Sequence, residues 1–398
     1  MPPADAPAAD PTGLPRPLPV QRELFDIPDD VAYFNCASLA PQLRASAEAA
    51  AAGLGRRARP WTIGSDDWFT GAEERRALFA RLAGVDPEGV ALVPATSYGL
   101  AVAAANLTAR PGQRVLVLAD DYPSNRYTWQ RFAGRTGASL VAVQRHDGQR
   151  WAEAVLEELD ERTAVVAVLA THWTDGGAVD LAAIAAKARA AGAALVVDAS
   201  QALGAMPLDL DAIRPDYLVT VGYKWLLGPF ALGYLYVAER HREGVPLEEN
   251  WISRLGSEDF SALVDYQDRY QPGARRFDVG QRTHFETTPM AVAALRQLLD
   301  WGVPRISATL GQVNRRIQRQ VEALGLPLTS SDRVPHILGI GLPDQARAAV
   351  ARALTAAGVY TGVRGSSLRV APHLWTTDQD VERLVDALTK ATNGRGAW

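Results

Sequence analysis

The stretch TVGYKWLLGPFALGYLYV, residues 220–237, places one lysine among apolar and aromatic residues. The chain writes its other cations almost wholly as arginine. Of 41 Lys and Arg residues, lysine stands only at Lys187, Lys224 and Lys390. A lysine in apolar surroundings loses ammonium solvation, so its pKa falls and the free amine can form a Schiff base. The plainer alternative is a side chain that reaches solvent from a domain edge.

Three further polar signals follow strand-like runs. In PATSYGLAVAAANL (94–107), Thr96 and Ser97 open a helix whose first N–H groups suit a phosphate, or else form an ordinary cap. In LVVDASQALG (195–204), Asp198 ends an apolar run and Gln201 follows one turn on. A carboxylate there needs a partner or caps the next turn. In LADDYPSNRYTW (118–129), Tyr122 could stack on a planar ring or plug the core. Taken together, the four form a site for pyridoxal 5′-phosphate. The lysine would hold the aldehyde carbon and Asp198 would keep the ring nitrogen protonated. The helix start would hold the phosphate. Arginine cannot replace Lys224, because its guanidinium stays charged.

The elements that must position these residues are seven strand candidates, at 90–96, 114–120, 139–145, 163–170, 193–199, 216–222 and 232–238. Their continuous apolar runs suit strands buried on both faces. Between them lie amphipathic stretches such as DLAAIAAKARAAG (180–192), which starts at an acidic cap and stops at glycine. The pattern predicts an α/β fold with a mostly parallel seven-stranded sheet flanked by helices. Only a short link joins the last two strands, whereas a parallel crossover needs a dozen residues or more, so the last strand is expected to be antiparallel. Residues 239–285 read as loop. Long helices then precede short strands (HILGIGL, SLRVAPH) and helices at 344–357 and 378–393.

The expected organisation is a disordered Pro/Ala-rich leader (1–20), an N-terminal segment reaching the active site (21–45), a large domain (46–285) and a small α+β domain (286–398). With 398 residues, 47% hydrophobic and a net charge of −4, the chain gives no electrostatic reason to expect nucleic acid. Its one cysteine, Cys36, excludes an internal disulfide and fits a reducing cytoplasm. No apolar run approaches the length of a membrane span, and no metal-ligand spacing or GxxxxGK[ST] loop is present.

The stretch VVDASQALGAMPLDLDAIRPDYLVTVGYKWLLGPFALGYLYV resembles the class V aminotransferase family of fold-type I pyridoxal-phosphate enzymes. That family includes cysteine desulfurases, kynureninases and isopenicillin N epimerase-like proteins. YFNCASLAP, PATSYG, DYPSN, THWTDGG, RRFDVGQRTHFETTP and SLRVAPHLWTTDQDVERL extend the likeness over about residues 30–390.

The resemblance implies Lys224 as the Schiff-base lysine, Asp198 as partner of the ring nitrogen and Gln201 as donor to the ring's 3-oxygen. It implies Thr96, Ser97 and Tyr223 at the phosphate, and Tyr122 in the stacking position where desulfurases carry histidine. Arg369 would grip the substrate α-carboxylate, with Asn35 and Cys36 nearby. A homodimer with active sites at its interface is expected.

Several positions depart from the family pattern. The region GVYTGVRGSSLRV lacks the desulfurase cysteine. Asp175 falls where relatives often have asparagine near the 3-oxygen. Gly280-Gln281 replaces a Gly-Thr that reaches the partner's phosphate, leaving Gln281 or Thr283 as substitutes. Val221–Gly222 lacks a hydroxyl that some relatives use, and Thr220 is not expected to make up for it. The expected activity is attack at Cα of an amino acid, with transamination ahead of β-elimination, C–S lysis or epimerisation. A non-catalytic scaffold is the contrasting class.

Overall fold

The computed structural model describes residues 15–146 and 148–393. In chain order the strands are β1 (Ala32–Tyr33), β2 (Val90–Val93), β3 (Arg114–Leu118), β4 (Ser139–Val143), β5 (Thr163–Leu169), β6 (Ala194–Asp198), β7 (Tyr217–Val221), β8 (Gly233–Val237), β9 (Leu338–Gly341), β10 (Val359–Tyr360), β11 (Gly362–Arg364) and β12 (Ser367–Val370). The helices are α1 (Arg44–Arg57), α2 (Thr70–Ala83), α3 (Thr96–Asn106), α4 (Pro123–Thr136), α5 (Trp151–Glu158), α6 (Leu181–Ala191), α7 (Leu210–Ile213), α8 (Thr288–Trp301), α9 (Val303–Ala323), α10 (Asp344–Ala356) and α11 (Asp378–Asn393).

All seven strands expected from the apolar runs form one sheet, in the order β2-β8-β7-β6-β5-β3-β4. The strands from β3 to β7 pair in parallel, while β8 runs antiparallel to both β7 and β2. The short 222–232 link therefore turns the chain back, as its length requires. Alternate residues feed two apolar layers. Leu116, Val166 and Val197 pack on one face, and Val117, Val165, Ala167 and Val196 pack on the other. Both faces are buried, which is why these strands read as continuous apolar runs and not as alternation.

From β3 the chain steps outward to β4, then returns to β5 and continues through β6 to β7. The strand order thus reverses between β3 and β5, and a crevice opens beyond the carboxyl ends at such a point. Tyr122 follows β3, Thr171 and Trp173 follow β5, and Asp198 closes β6.

A three-stranded antiparallel sheet, β11-β12-β9, carries the smaller C-terminal layer, with α10 and α11. Helix α9 joins the layers: Ile306 and Leu310 lie in the first core, Ile317 and Val321 in the small one. The boundary expected at 285/286 does not coincide with a break in packing. The buried face of α8 (Val292, Leu295, Leu298) belongs to the large core, against α1 and α2.

The expected leader also needs correction. Residues 1–14 lie outside the described residues, but the Leu18 N–H donates to Thr309 Oγ1 at 2.8 Å and the Arg16 carbonyl accepts from Arg305. Backbone groups so engaged hold residues 16–20 against α9. No helix among the described residues is long and apolar enough to cross a membrane.

Candidate active site

Lys224 sits where β7 turns into β8, and the turn is tightly fixed. The Gly222 N–H donates to Leu232 O at 2.8 Å, and the Gly228 N–H donates to Gly222 O at 2.9 Å. Leu227 and Ala231 take positive φ, 52° and 60°, a strained conformation for residues with a Cβ. A Cβ on Gly222 would lie 2.5 Å from Leu232 O, so this position excludes the hydroxyl residues of some relatives. Thr220 does not compensate, because its buried side chain turns to Val221 O.

Lys224 itself is only 7% exposed, which rules out a side chain reaching for solvent. Its Nζ lies 5.4 Å from the Tyr122 ring centroid and 5.8 Å from that of Tyr223. Burial pulls its pKa down to about 8. Asp198 pushes it back up, while Arg369 and Arg364 add to the fall. Asp198 is buried too. Burial raises its carboxyl pKa against the opposing pull of Ser200 and Lys224. Its Oδ1 accepts from the Ser200 N–H at 2.9 Å.

One crevice collects Thr96, Ser97, Tyr122, Asp198, Gln201, Tyr223 and Lys224. The capping alternative for Thr96 and Ser97 fails. Helix α3 has Ala95 before it and no side-chain cap, and the Thr96 hydroxyl pairs with Ser200 Oγ at 3.2 Å. The first N–H groups of a helix have no intrahelical acceptor, so they are open to an anion. Gln201 accepts from Trp225 Nε1 and donates to Ala37 O, at 2.8 and 2.9 Å, which fixes its amide at the floor.

The N-terminal segment crosses this floor. Cys36 is fully buried, and its charge would interact with Lys224 and Arg369. Burial pushes its thiol well above the usual range, so it is no thiolate nucleophile. The Asn35 Oδ1 is buried without a partner. Arg369 arrives on β12 and donates to Trp173 O at 2.7 Å. Burial and the nearby charge of Arg364 both work against its own charge.

Three expected residues lie elsewhere. Asp175 turns away from the Lys224 crevice into a neighbouring cleft. There it accepts from the Gly177 N–H at 2.9 Å and pairs with Arg145 at 3.4 Å. Its carboxyl stays below the usual range despite burial, because His172, the Gly177 N–H and Arg145 favour the charge. A residue held by an arginine behind it is not free for the ring's 3-oxygen. Gln281 is exposed, and Thr283 lines a separate cleft between α1, α2 and α8. Neither meets the Lys224 crevice of its own chain.

Ser200 and Trp173 were not among the residues expected at the site. Ser200 bridges Asp198 and Thr96, and the signal was its place two residues past a strand-end carboxylate. Trp173 ties the crevice together. Its indole donates to Asp120 O at 2.7 Å, and its ring meets Tyr122 edge-on at 5.5 Å. Trp129 and Trp225 are core residues, while Trp68 and Trp251 pack edge-on against each other and do not line the crevice.

The family model for class V aminotransferases matches residues 64–383. The chain belongs to the class V aminotransferase family. An uncharacterized aminotransferase of Bacillus subtilis (strain 168), YcbU, is 27% identical over 321 residues, covering 80% of this chain and 84% of that protein. Isopenicillin N epimerase of Streptomyces clavuligerus is 28% identical over 342 residues, with the same coverage, 80% and 84%. Among solved structures, a variant of the protein C-DES carries glycine covalently linked to its PLP cofactor. It matches the fold with a TM-score of 0.84 at 20% identity, over 93% of this chain and 99% of that one.

This class V aminotransferase family member is a pyridoxal-phosphate-dependent enzyme with the fold-type I architecture. Its residues fit that cofactor. A buried amine, a buried carboxylate whose pKa is raised and an uncapped helix start converge on one crevice. Among the described residues no group of His, Cys, Asp and Glu could hold a metal ion.

Proposed function

We propose that the protein is an aminotransferase acting at Cα of an amino acid, with Lys224 as the residue that holds the cofactor. The observation that carries this reading is Lys224 itself, buried and drawn down to about 8 beside the buried carboxyl of Asp198. Bound pyridoxal phosphate supplies an aldehyde that links to the amino acid and draws electrons from Cα. The chain's own residues do the rest. Lys224, freed of the cofactor by the incoming amine, would take the proton from Cα, a task its lowered pKa suits near neutral pH. Asp198 holds the proton of the ring nitrogen. Thr96 and Ser97 hold the phosphate at the start of α3, with Tyr223 beside them, and Tyr122 covers the ring face. Gln201 presents its amide to the 3-oxygen. Arg369 receives the α-carboxylate in a two-pronged contact, with Asn35 and Cys36 closing the floor.

A homodimer in a reducing cytoplasm completes the proposal. Phe230 supports the dimer: it lines the Lys224 crevice, packs on Tyr223 at 4.5 Å and is 69% exposed, so the crevice wall ends in an uncovered aromatic. The single buried cysteine supports the compartment. Gln281 or Thr283 would then face the partner's crevice.

The deciding experiment reduces the loaded protein with borohydride and maps the pyridoxyl group, which is expected on Lys224. Amino acids are then screened while the cofactor spectrum is followed. Conversion to the pyridoxamine form supports transamination. Release of a 2-oxo acid with ammonia means β-elimination, and loss of optical activity means epimerisation. A colourless protein that ignores added cofactor would overturn the enzyme reading altogether.

A further inference from the structure

Two arginines converge on Gly362, and among the described residues no carboxylate forms an ion pair with either. A methyl group built on Gly362 would lie 3.5 Å from Arg369 Nη2, 3.7 Å from Arg364 Nη1 and 3.1 Å from Asn35 Oδ1. The β11–β12 register causes this: Gly362 stands opposite Arg369, and Arg364 follows two residues along the same strand face. Among the described residues, both guanidiniums bond only to backbone carbonyls. Arg364 donates to Val363 O at 2.8 Å and Arg369 to Trp173 O at 2.7 Å. The Arg369 Nε is buried without a partner.

Arg275 and Arg276, by contrast, are neutralised. Arg275 pairs with Glu73 and Glu88, and Arg276 pairs with Glu243. Like charges brought this close repel unless an anion joins them. One carboxylate on Arg369 balances one of the two. Arg364 remains, with its guanidinium 5.8 Å from the Trp173 ring centroid, facing a cleft of about 590 Å³ next to the Lys224 crevice. The cleft's other charges do not serve it. Arg145 already holds Asp175, the Asp121 carboxyl is buried and bonded to Asn125, and Asp120 is exposed. Ser366 and Ser367 line the same wall.

We propose that Arg364 is a specificity-determining residue that receives a second anionic group, so that the substrate is an amino acid with an acidic side chain. This rests on the reading of Arg369 as the α-carboxylate site. It adds the requirement that the side chain end in a carboxylate or a similar anion.

The test is a calorimetric comparison on the pyridoxal-phosphate-loaded protein, with L-glutamate against L-glutamine, L-aspartate against L-asparagine, and glutarate against butyrate. A guanidinium–carboxylate contact in a partly buried cleft is expected to favour at least one acid over its neutral counterpart by about tenfold to a hundredfold. Arg364→Gln should bring that ratio close to one. Arg364→Lys should leave an intermediate ratio, since it keeps the charge and loses the fork. Equal affinity for every acid and its counterpart in the wild-type protein would overturn the proposal, as would a preference that survives in Arg364→Gln. Failure of the cofactor reading shows separately, as a protein that borohydride does not label. Glutarate and butyrate carry no amine to react with the cofactor, so that pair reads the preference as binding without turnover.

Discussion

Behind Gln201 lies a pair of histidines whose titration should govern how stability depends on pH. His336 Nε2 contacts Gln201 O at 2.5 Å, and its ring meets Trp225 edge-on at 4.6 Å. His373 stacks on Trp375 at 4.9 Å, and both its ring nitrogens are buried without a partner. Burial draws His336 down to about 4 and His373 to about 3. The folded protein therefore keeps both rings neutral where the unfolded chain binds protons. Their stability contribution is fully present above about pH 6.5 and is lost as pH falls toward 4 and then 3.

For one ring, integrating between pH 7 and pH 5 gives a loss of about 2 kcal/mol, so the pair loses about 4 kcal/mol. Asp121 acts in the opposite sense. Burial raises its carboxyl to about 7, so the folded state gains stability as pH falls below that value. The wild-type curve alone is thus not diagnostic, and His373→Phe is the needed perturbation. It removes one titrating ring and no hydrogen bond, and any overpacking acts equally at both pH values. Urea unfolding at fixed cofactor and protein concentration should show the wild type losing about 2 kcal/mol more than the variant between pH 7 and pH 5. Curves that run parallel would refute the buried neutral histidine.

Lys224→Ala and Lys224→Arg should both abolish borohydride-stable labelling, and turnover should fall by about 10²–10⁴-fold or more; labelling that persists at another residue would count against the assignment. Because Lys224 titrates at about 8, the rate at which cofactor-free protein captures pyridoxal phosphate should rise about tenfold from pH 7 to pH 9, by stopped-flow absorbance. Asp278 accepts from Arg76, Arg282 and the Leu92 N–H with no exposure, pinning the 239–285 loop to β2. Asp278→Ala takes the buried carboxylate from Arg282, which keeps its hydrogen bond to Gln271, and leaves Arg76 to Glu73, so it should cost about 3–5 kcal/mol in urea unfolding. Gly222→Ala puts a Cβ 2.5 Å from Leu232 O, so it should destabilise the fold by about 1–3 kcal/mol and weaken cofactor retention, measured by dialysis.

The sequence by itself determined the sheet and the cofactor. Strands buried on both faces must be apolar throughout, and the short 222–232 link leaves room only for a reversal. Lys224 and Asp198 were legible because each polar residue interrupts or ends an apolar run and so needs a reason. Helix caps such as Asp180 and Gly192 were legible for the same local cause. What only the tertiary structure decided depends on contacts between distant parts of the chain. Asp175 is turned away by Arg145, 30 positions earlier, and α8 joins the large core because α1 and α2 offer it an apolar face. Arg275 and Arg276 are neutralised by glutamates far along the chain, while Arg364 is left facing Arg369 across Gly362. Charge balance is settled by which residues meet in space, and that meeting is set by the packing of the whole chain and by no local pattern of residue types.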